Sequence, residues 1–404
     1  MAPAPPEGLH MDTLETPAAR TDHRVHTAVD AFSGPGGLSL GLTRAGFAVR
    51  AAFDNDPWSI ATYRRNLGEH GFQADARQIT ADHLRARSAL RESEELDLFA
   101  GGPPCQGFSK QKRGAHLGDE RNELVREFLR LTRELHPRAF LLENVSQLAQ
   151  VRGRHLVAEL EGSLEDYTLT GHFYVAADYG LAQTRERFIL VGVRRDVDGA
   201  FRIPAPTTPT WLTVGQVIGD LPEPPADYTD HSDYPNHQAA RVTKANIERF
   251  SHVPEGGGWQ DIPHELRLDC HQNVDTSKGG WPDVYGRLRW DGQCPTITGG
   301  FDSFTRGRYG HPRQDRPLTP REAARLQGFA DSFVFLGTRH DIRHQIGNAV
   351  PPPLAEAIGR AILDALDGRT PRRRNGYLFD VEPNNIGKSA VRRSRNRLTG
   401  GNPL

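Results

Sequence analysis

Asp97-Leu-Phe-Ala-Gly-Gly-Pro-Pro-Cys-Gln-Gly-Phe-Ser109 is an apolar strand that ends abruptly. Leu98, Phe99 and Ala100 form its edge; two glycines and two prolines then break it and leave Cys105 on a turn beyond the strand's C-terminal end. Proline fixes φ, so the thiol rides on a loop that resists rejoining a ladder. In an open α/β sheet that end is where ligands bind. A free cysteine is more often a packing residue than a nucleophile. The segments on either side decide between the two.

Upstream, residues 27 to 33 read as a buried parallel strand, the turn Gly34-Pro-Gly-Gly37 follows, and Leu38 opens an amphipathic helix running through Arg44. Strand, glycine turn and helix bring backbone close to a cofactor, although the GxGG spacing is not the dinucleotide fingerprint. A second strand, Val49 to Phe53, ends in Asp54-Asn-Asp56. An acid there, about 20 residues after the first glycine, is placed to hold ribose hydroxyls. Asp56 serves equally well as a cap for the helix starting near Pro57. Asp75 ends the next short segment, within reach of an adenine amine in a doubly wound sheet.

Downstream, a basic loop from Lys110 to Arg121 carries glycines at 114 and 118 that leave it free to move. A helix from about Asn122 to Leu135 leads to a strand, Ala139 to Leu142, that delivers Glu143-Asn144-Val145 to the same sheet edge. A hairpin-like pair, 167–176 and 187–193, flanks Gln183-Thr-Arg185-Glu-Arg187. Arginines two apart share one face of a strand, which looks either into the cleft or out to solvent as a charged edge.

Composition sets the frame. The chain has 404 residues, 37% hydrophobic and 25% charged, with a formal net charge of −1. That is ordinary for a folded protein of two domains, or of one large domain with an insertion. No apolar run approaches the roughly 18 residues of a membrane span. The N-terminal residues 1 to 26 read as a disordered tail without a signal peptide's apolar core. Three cysteines cannot build a disulfide framework, and no His/Cys cluster has metal-ligand spacing, so no metal site is expected.

Six stretches stand in order along the chain: Asp30-Ala-Phe-Ser-Gly-Pro-Gly-Gly37, Gly102-Pro-Pro-Cys-Gln-Gly-Phe-Ser109, Glu143-Asn-Val145, Gln183-Thr-Arg-Glu-Arg187, Thr319 to Phe329, and Gln345-Ile-Gly-Asn-Ala-Val-Pro-Pro352. This ordered set resembles the DNA cytosine-5 methyltransferase family over roughly residues 27 to 365. The resemblance implies a doubly wound α/β sheet of the class I methyltransferase (Rossmann-like) type, with a smaller, mainly β or irregular target-recognition domain. The catalytic domain is then 27 to 197, the recognition domain 198 to 335, and residues 336 to 367 return to the catalytic domain. A basic flexible tail, 368 to 404, completes the chain.

It further implies S-adenosyl-L-methionine as methyl donor and S-adenosyl-L-homocysteine as product. Phe32, Gly34, Gly36, Gly37, Asp54, Asp75, Pro103, Asn348 and Val350 map onto the family's cofactor residues. Asp54 stands where the family most often has Glu, and Asp75 is flanked by alanines. Cys105, Glu143, Arg185 and Arg187 map onto its catalytic residues. The chemistry agrees: carbon 5 of cytosine is a poor nucleophile until a thiolate adds to carbon 6. Cys105 would supply that thiolate, with Arg185 as the candidate cation lowering its pKa. Glu143, protonated or sharing a proton, would hydrogen-bond the ring nitrogen and exocyclic amine, Asn144 would hold the Glu143 turn, and Arg187 would hold the base carbonyl or the cysteine loop.

Double-stranded DNA is the implied partner, with the base flipped out of the stack. Gln106, Ser109, Lys110, Lys112 and Arg113 are expected at the DNA from the cysteine loop. Arg287, Arg289, Thr296 and Thr298 are expected there from the Pro-, Gly- and His-rich stretch 200 to 317, which also holds Trp211, Trp259, Trp281 and Trp290. Arg321, Glu322 and Arg325, on a helix opened by Thr319-Pro320, read as structural. The expected setting is a monomer in the bacterial cytoplasm or nucleoid, with a nuclease or defence-system protein as a separate chain. Other readings are cytosine-5 methylation of transfer RNA and a catalytically inert DNA-binding regulator.

Overall fold

The computed structural model describes residues 24–104, 123–144, 162, 164–272, 274 and 283–370. The N-terminal tail, Cys105 with its basic loop, Val145, Trp281 and most of the basic C-terminal tail lie outside the described residues.

Seven strands form one mixed sheet: β1 (Thr27–Ala31), β2 (Ala48–Asp54), β3 (Gly71–Gln73), β4 (Leu98–Gly101), β5 (Ala139–Asn144), β6 (Tyr167–Val175) and β7 (Glu186–Arg194). Their order is β3-β2-β1-β4-β5-β7-β6; the first five run parallel, and β7 is antiparallel to both β5 and β6. Helices α1 (Gly37–Ala45), α2 (Pro57–Leu67), α3 (Ala81–Arg87) and α4 (Glu123–Leu135) connect the parallel strands. Short helices α5 (Val214–Ile218), α6 (Lys244–Ser251) and α7 (Asp269–Gln272) follow, then α8 (Pro320–Leu326), α9 (Arg339–Asn348) and α10 (Pro352–Leu366).

The strands read as near-continuous apolar runs because the sheet is covered on both faces. Side chains alternate along a strand. Val29, Phe99, Phe140 and Leu142 therefore enter one core with Leu84 and Phe128. Ala28, Leu98, Ala100, Leu141 and Val191 enter the opposite core with Leu42, Leu354 and Ile358. Helix α10, the last element among the described residues, thus packs beside α1 on the same face of the sheet.

A third core gathers Phe301, Leu318, Leu326, Phe329, Phe335 and Ile346, and a fourth Phe250, Trp259, Tyr285 and Phe304. Helix α8 starts with the expected capping box, Thr319 with Glu322. Arg321 is fully buried and donates to the carbonyls of Pro235, Ala330 and Phe333, while Arg325 pairs with Asp331, so both hold structure as expected. The expected mainly β or irregular region takes the irregular form. Among the described residues between 200 and 317 there are isolated bridges but no ladder strand, and the chain is held by side chain–carbonyl bonds and aromatic packing.

The sheet's other end is closed by charge. His26 Nε2 lies 2.7 Å from Asp367 Oδ1, its Nδ1 lies 3.2 Å from Asp97 Oδ1, and Arg138 reaches the same Asp97 oxygen at 2.8 Å. The Asp97 contact raises the His26 pKa above 6.5 against the opposing effect of burial. Burial alone would raise Asp97, but His26, the Thr27 N–H and Arg138 together hold it down to about 2. His26 therefore contributes stability that is complete below pH 6.5 and is lost as pH rises through its raised pKa; the Asp97 contribution is complete above pH 3.8 and is lost toward pH 2. A His26→Gln chain should approach wild-type stability as pH climbs from 6 to 9 in denaturant titrations. A wild-type advantage constant across that range would refute the assignment.

Candidate active site

The parallel strands end at one edge, and the glycine turn sits there. Phe32, with φ 57°, Gly34, at 54°, and Gly36, at 105°, bend the chain from β1 into α1. Asp54 Oδ2 accepts from the Gly34 N–H at 2.9 Å, and its Oδ1 accepts from the Asp56 N–H at 2.9 Å. Asp56 caps α2 through the Ser59 N–H, the capping role that the sequence offers it. Burial raises the Asp54 pKa.

A side chain at Gly37 would strike the Val350 carbonyl at 2.3 Å, so the segment after α9 lies directly on the turn. Beside Gly34 there is open space: an added Cβ would meet nothing within 4 Å. An acid, free backbone space and the Phe32 ring, packed on Phe53, fit a ribose and a flat base. Asn348 is exposed at the end of α9, while Val350 and Pro103 are buried. Asp75 is engaged by Arg77 through both carboxylate oxygens, the closest contact 2.6 Å, which lowers its pKa. Any adenine amine there would share that carboxylate with a guanidinium.

Sequence reasoning assigned no role to Asp30. It is fully buried, accepts from Ser39 Oγ at 2.6 Å, and belongs to a chain of hydroxyls through Tyr63 to His70. Burial pushes its pKa up to about 7. An acid inside an otherwise apolar strand was the signal available.

At the neighbouring strand ends the register brings Glu143 and Arg187 together. Glu143 on β5 is opposite Ile189 on β7, so Arg187, two residues along, shares its face. The two side chains form an ion pair at 2.9 Å, both largely buried. A Cβ on Gly102 would come within 3.0 Å of Glu143 Oε2, which places the end of β4, three residues before Cys105, against the same carboxylate. The arginine pair therefore faces inward.

Arg185 is 2% exposed, and its Nη1 donates to Ile297 O at 2.9 Å and Gly347 O at 3.0 Å. Burial, with Arg187 close by, lowers its pKa well below the usual value. One guanidinium thus ties β7 to both the Pro295–Thr298 loop and the end of α9. Gln183 reinforces the junction, donating to Leu326 O and Gln327 Oε1 and accepting from the Ile297 N–H. A Cβ on Gly347 would sit 2.4 Å from Gly299 N. The sequence displays Gln183 and Gln327 within two motifs without showing that they meet.

Arg287, expected at the DNA, is turned inward. It is 6% exposed, lies over Phe250, and donates to the carbonyls of Phe250, Val253, His311 and Gln314 and to Asp315. Its donors organise the loops of the fourth core. Arg289 and Thr298 are exposed, Thr296 is half-buried, and Thr298 Oγ1 meets the Tyr309 hydroxyl at 3.0 Å. Trp211 donates to Asp178, Trp259 packs in the fourth core, and Trp290 lies under Arg313. Cys105, Gln106, Ser109, Lys110, Lys112 and Arg113 lie outside the described residues.

The sheet order, the glycine turn and the carboxylate at the end of β2 define a class I S-adenosylmethionine-dependent methyltransferase fold. Solved structures share it. A prophage-encoded Escherichia coli chain assigned as a DNA modification methyltransferase aligns over 85% of this chain and 99% of its own, with TM-score 0.64 and 29% identity. Schizosaccharomyces pombe Dnmt2 aligns with TM-score 0.54 and 16% identity over 85% and 99%, a likeness of fold.

Residues 26–364 match the family described as C-5 cytosine-specific DNA methylase, and the chain belongs to it: it is a DNA cytosine methyltransferase. The Type II methylase M.HgiDII of Herpetosiphon aurantiacus is 34% identical over 87% of this chain and 98% of its own. The Type II methyltransferase M1.HphI of Haemophilus parahaemolyticus is 36% identical over 83% and 86%.

Proposed function

We propose that this enzyme methylates carbon 5 of a flipped-out cytosine within one specific duplex DNA sequence through a covalent Cys105 adduct. The observation that carries the reading is the Glu143–Arg187 pair against Gly102, at the same edge as the Gly34–Asp54 turn. S-adenosyl-L-methionine supplies a methyl group on a sulfonium. Phe32, the glycine turn and Asp54 hold it, with Asp75 toward the adenine and Pro103, Asn348 and Val350 closing the pocket.

In the reaction, Cys105 Sγ bonds to carbon 6 while Glu143 hydrogen-bonds the ring nitrogen and shares its proton, leaving carbon 5 electron-rich. Carbon 5 would take the methyl group as the donor's sulfur–methyl bond breaks, leaving S-adenosyl-L-homocysteine; it then gives its proton to a base, an ordered water or a side chain, and the Sγ–carbon 6 bond breaks to restore the ring. Arg187 orients Glu143 and reaches the base carbonyl. Arg185 holds the Pro295–Thr298 loop and the end of α9 against that site. Segment 198–335 reads the sequence, and Lys110, Lys112 and Arg113 contribute positive charge toward the DNA phosphates. The Type II relatives support a protective role beside a separate nuclease, in a bacterial cytoplasm.

Bisulfite sequencing of DNA from a methylation-free host expressing the chain should return one recurrent, highly occupied motif. Unmodified DNA alongside soluble, folded protein would overturn the reading. Tritiated-methyl transfer to transfer RNA would then identify the alternative substrate.

A further inference from the structure

Helix α9 carries His340, His344 and Asn348, all exposed, at four-residue spacing and so along one stripe. The two imidazole centroids are 4.4 Å apart. The stripe borders the active-site junction: the His344 ring lies 3.4 Å from where a Gly299 Cβ would be, and Gly347, at its lower end, gives its carbonyl to Arg185. His340 and His344 have no role in the chemistry derived above.

Their surroundings are cationic. Arg343 Nη2 lies 3.2 Å from His340 Nδ1, and the charge of Arg306, exposed on the loop after Gly300, acts on His344. The nearby acids are occupied. Asp302 is held by Arg339 at 2.7 Å and Arg343 at 2.9 Å, and Asp341 accepts from the Thr338 N–H and hydroxyl at 2.8 and 2.6 Å. Among the described residues His344 makes no hydrogen bond. Partial burial, then His340, Arg343 and Arg306, lower its pKa. The exposed His344 imidazole, its pKa lowered by burial and neighbouring cations and flanked by His340, Arg343 and Arg306, suits an anion that would let it charge.

We propose that the His340–His344 edge, with Arg306, is a contact site for a DNA backbone phosphate flanking the target base, and that His344 takes up a proton when the phosphate arrives. This rests on the DNA-methylating reading. It makes binding tighter at mildly acidic pH and ties grip on the backbone to the helix whose end meets the cofactor turn.

The test uses the full chain and a duplex carrying the motif returned by bisulfite sequencing. Fluorescence polarisation at pH 6, 7 and 8 should show wild type binding roughly 5–10-fold more tightly than His340→Gln/His344→Gln at pH 6 and nearly equally at pH 8, in line with one added phosphate contact. Calorimetry in two buffers of different ionisation heat should detect proton uptake near pH 6.5 in wild type and its loss in the double variant. Arg306→Gln should lower the salt slope by about one unit. Equal affinities and equal proton uptake across the pH range, with wild type still methylating DNA, would overturn the phosphate site and leave the enzyme reading intact. A wild type that neither binds nor methylates DNA would overturn both.

Discussion

Cys105→Ala is expected to lower methyl transfer by on the order of 10⁴-fold or more while leaving affinity for the target duplex close to wild type. The size follows from the reaction. Carbon 5 of cytosine gains electron density only while a nucleophile is bonded to carbon 6, so removing the thiol removes the step rather than slowing it. On the proposed reading, binding depends on other groups, including segment 198–335. Two measurements check this: tritiated-methyl incorporation into the recognised duplex, and adduct formation on a duplex whose target base carries fluorine at carbon 5. Fluorine cannot leave as a proton does, so a methylated, thiol-linked base should accumulate on wild type and not on the variant. Full activity in Cys105→Ala, or a persistent adduct mapped to another residue, would refute the covalent mechanism.

Glu143→Gln is expected to have the second largest effect, lowering kcat by roughly 10²–10⁴-fold, the range for a lost proton-sharing group. The substitution keeps the shape and removes both the proton and the charge. Arg187, largely buried, then keeps a neutral oxygen at 2.9 Å in place of its carboxylate. Stability should fall by up to roughly 1.5–3 kcal/mol, the worth of a hydrogen bond to a charged group. Single-turnover rates at saturating duplex separate the two effects, because a destabilised but competent site would lose active protein and not rate per active site. A rate near wild type would remove Glu143 from the chemistry and leave it as Arg187's structural partner.

Much of this arrangement is legible in the sequence. The glycine turn, the acid at the end of β2 and Glu143 at the end of β5 stand at strand ends, and the chain announces strand ends with glycine, proline and charge after apolar runs. Asp56 as a helix cap and Thr319 with Glu322 as a capping box are equally local. The arginines were not legible in the same way. Arg287 sits in a sequence that reads as a DNA contact, yet four carbonyls converge on it. Arg185 gathers carbonyls from Ile297 and Gly347, 112 and 162 residues away. Carbonyls belong to every residue, so no pattern of side chains forecasts where several will meet.

The sequence by itself determined the sheet, its ligand edge and the residue types assembled there, because each depends on local periodicity, turn chemistry and ordered motifs. Only the tertiary structure decided which Asp54 oxygen holds the glycine turn, that Asp75 is shared with Arg77, and that Arg185 clamps two distant segments. It also decided that α9 lays a histidine stripe beside the site. Those facts arise where segments far apart in the chain are pressed together by the burial of apolar surface, a non-directional force whose outcome in space is not written at any one position.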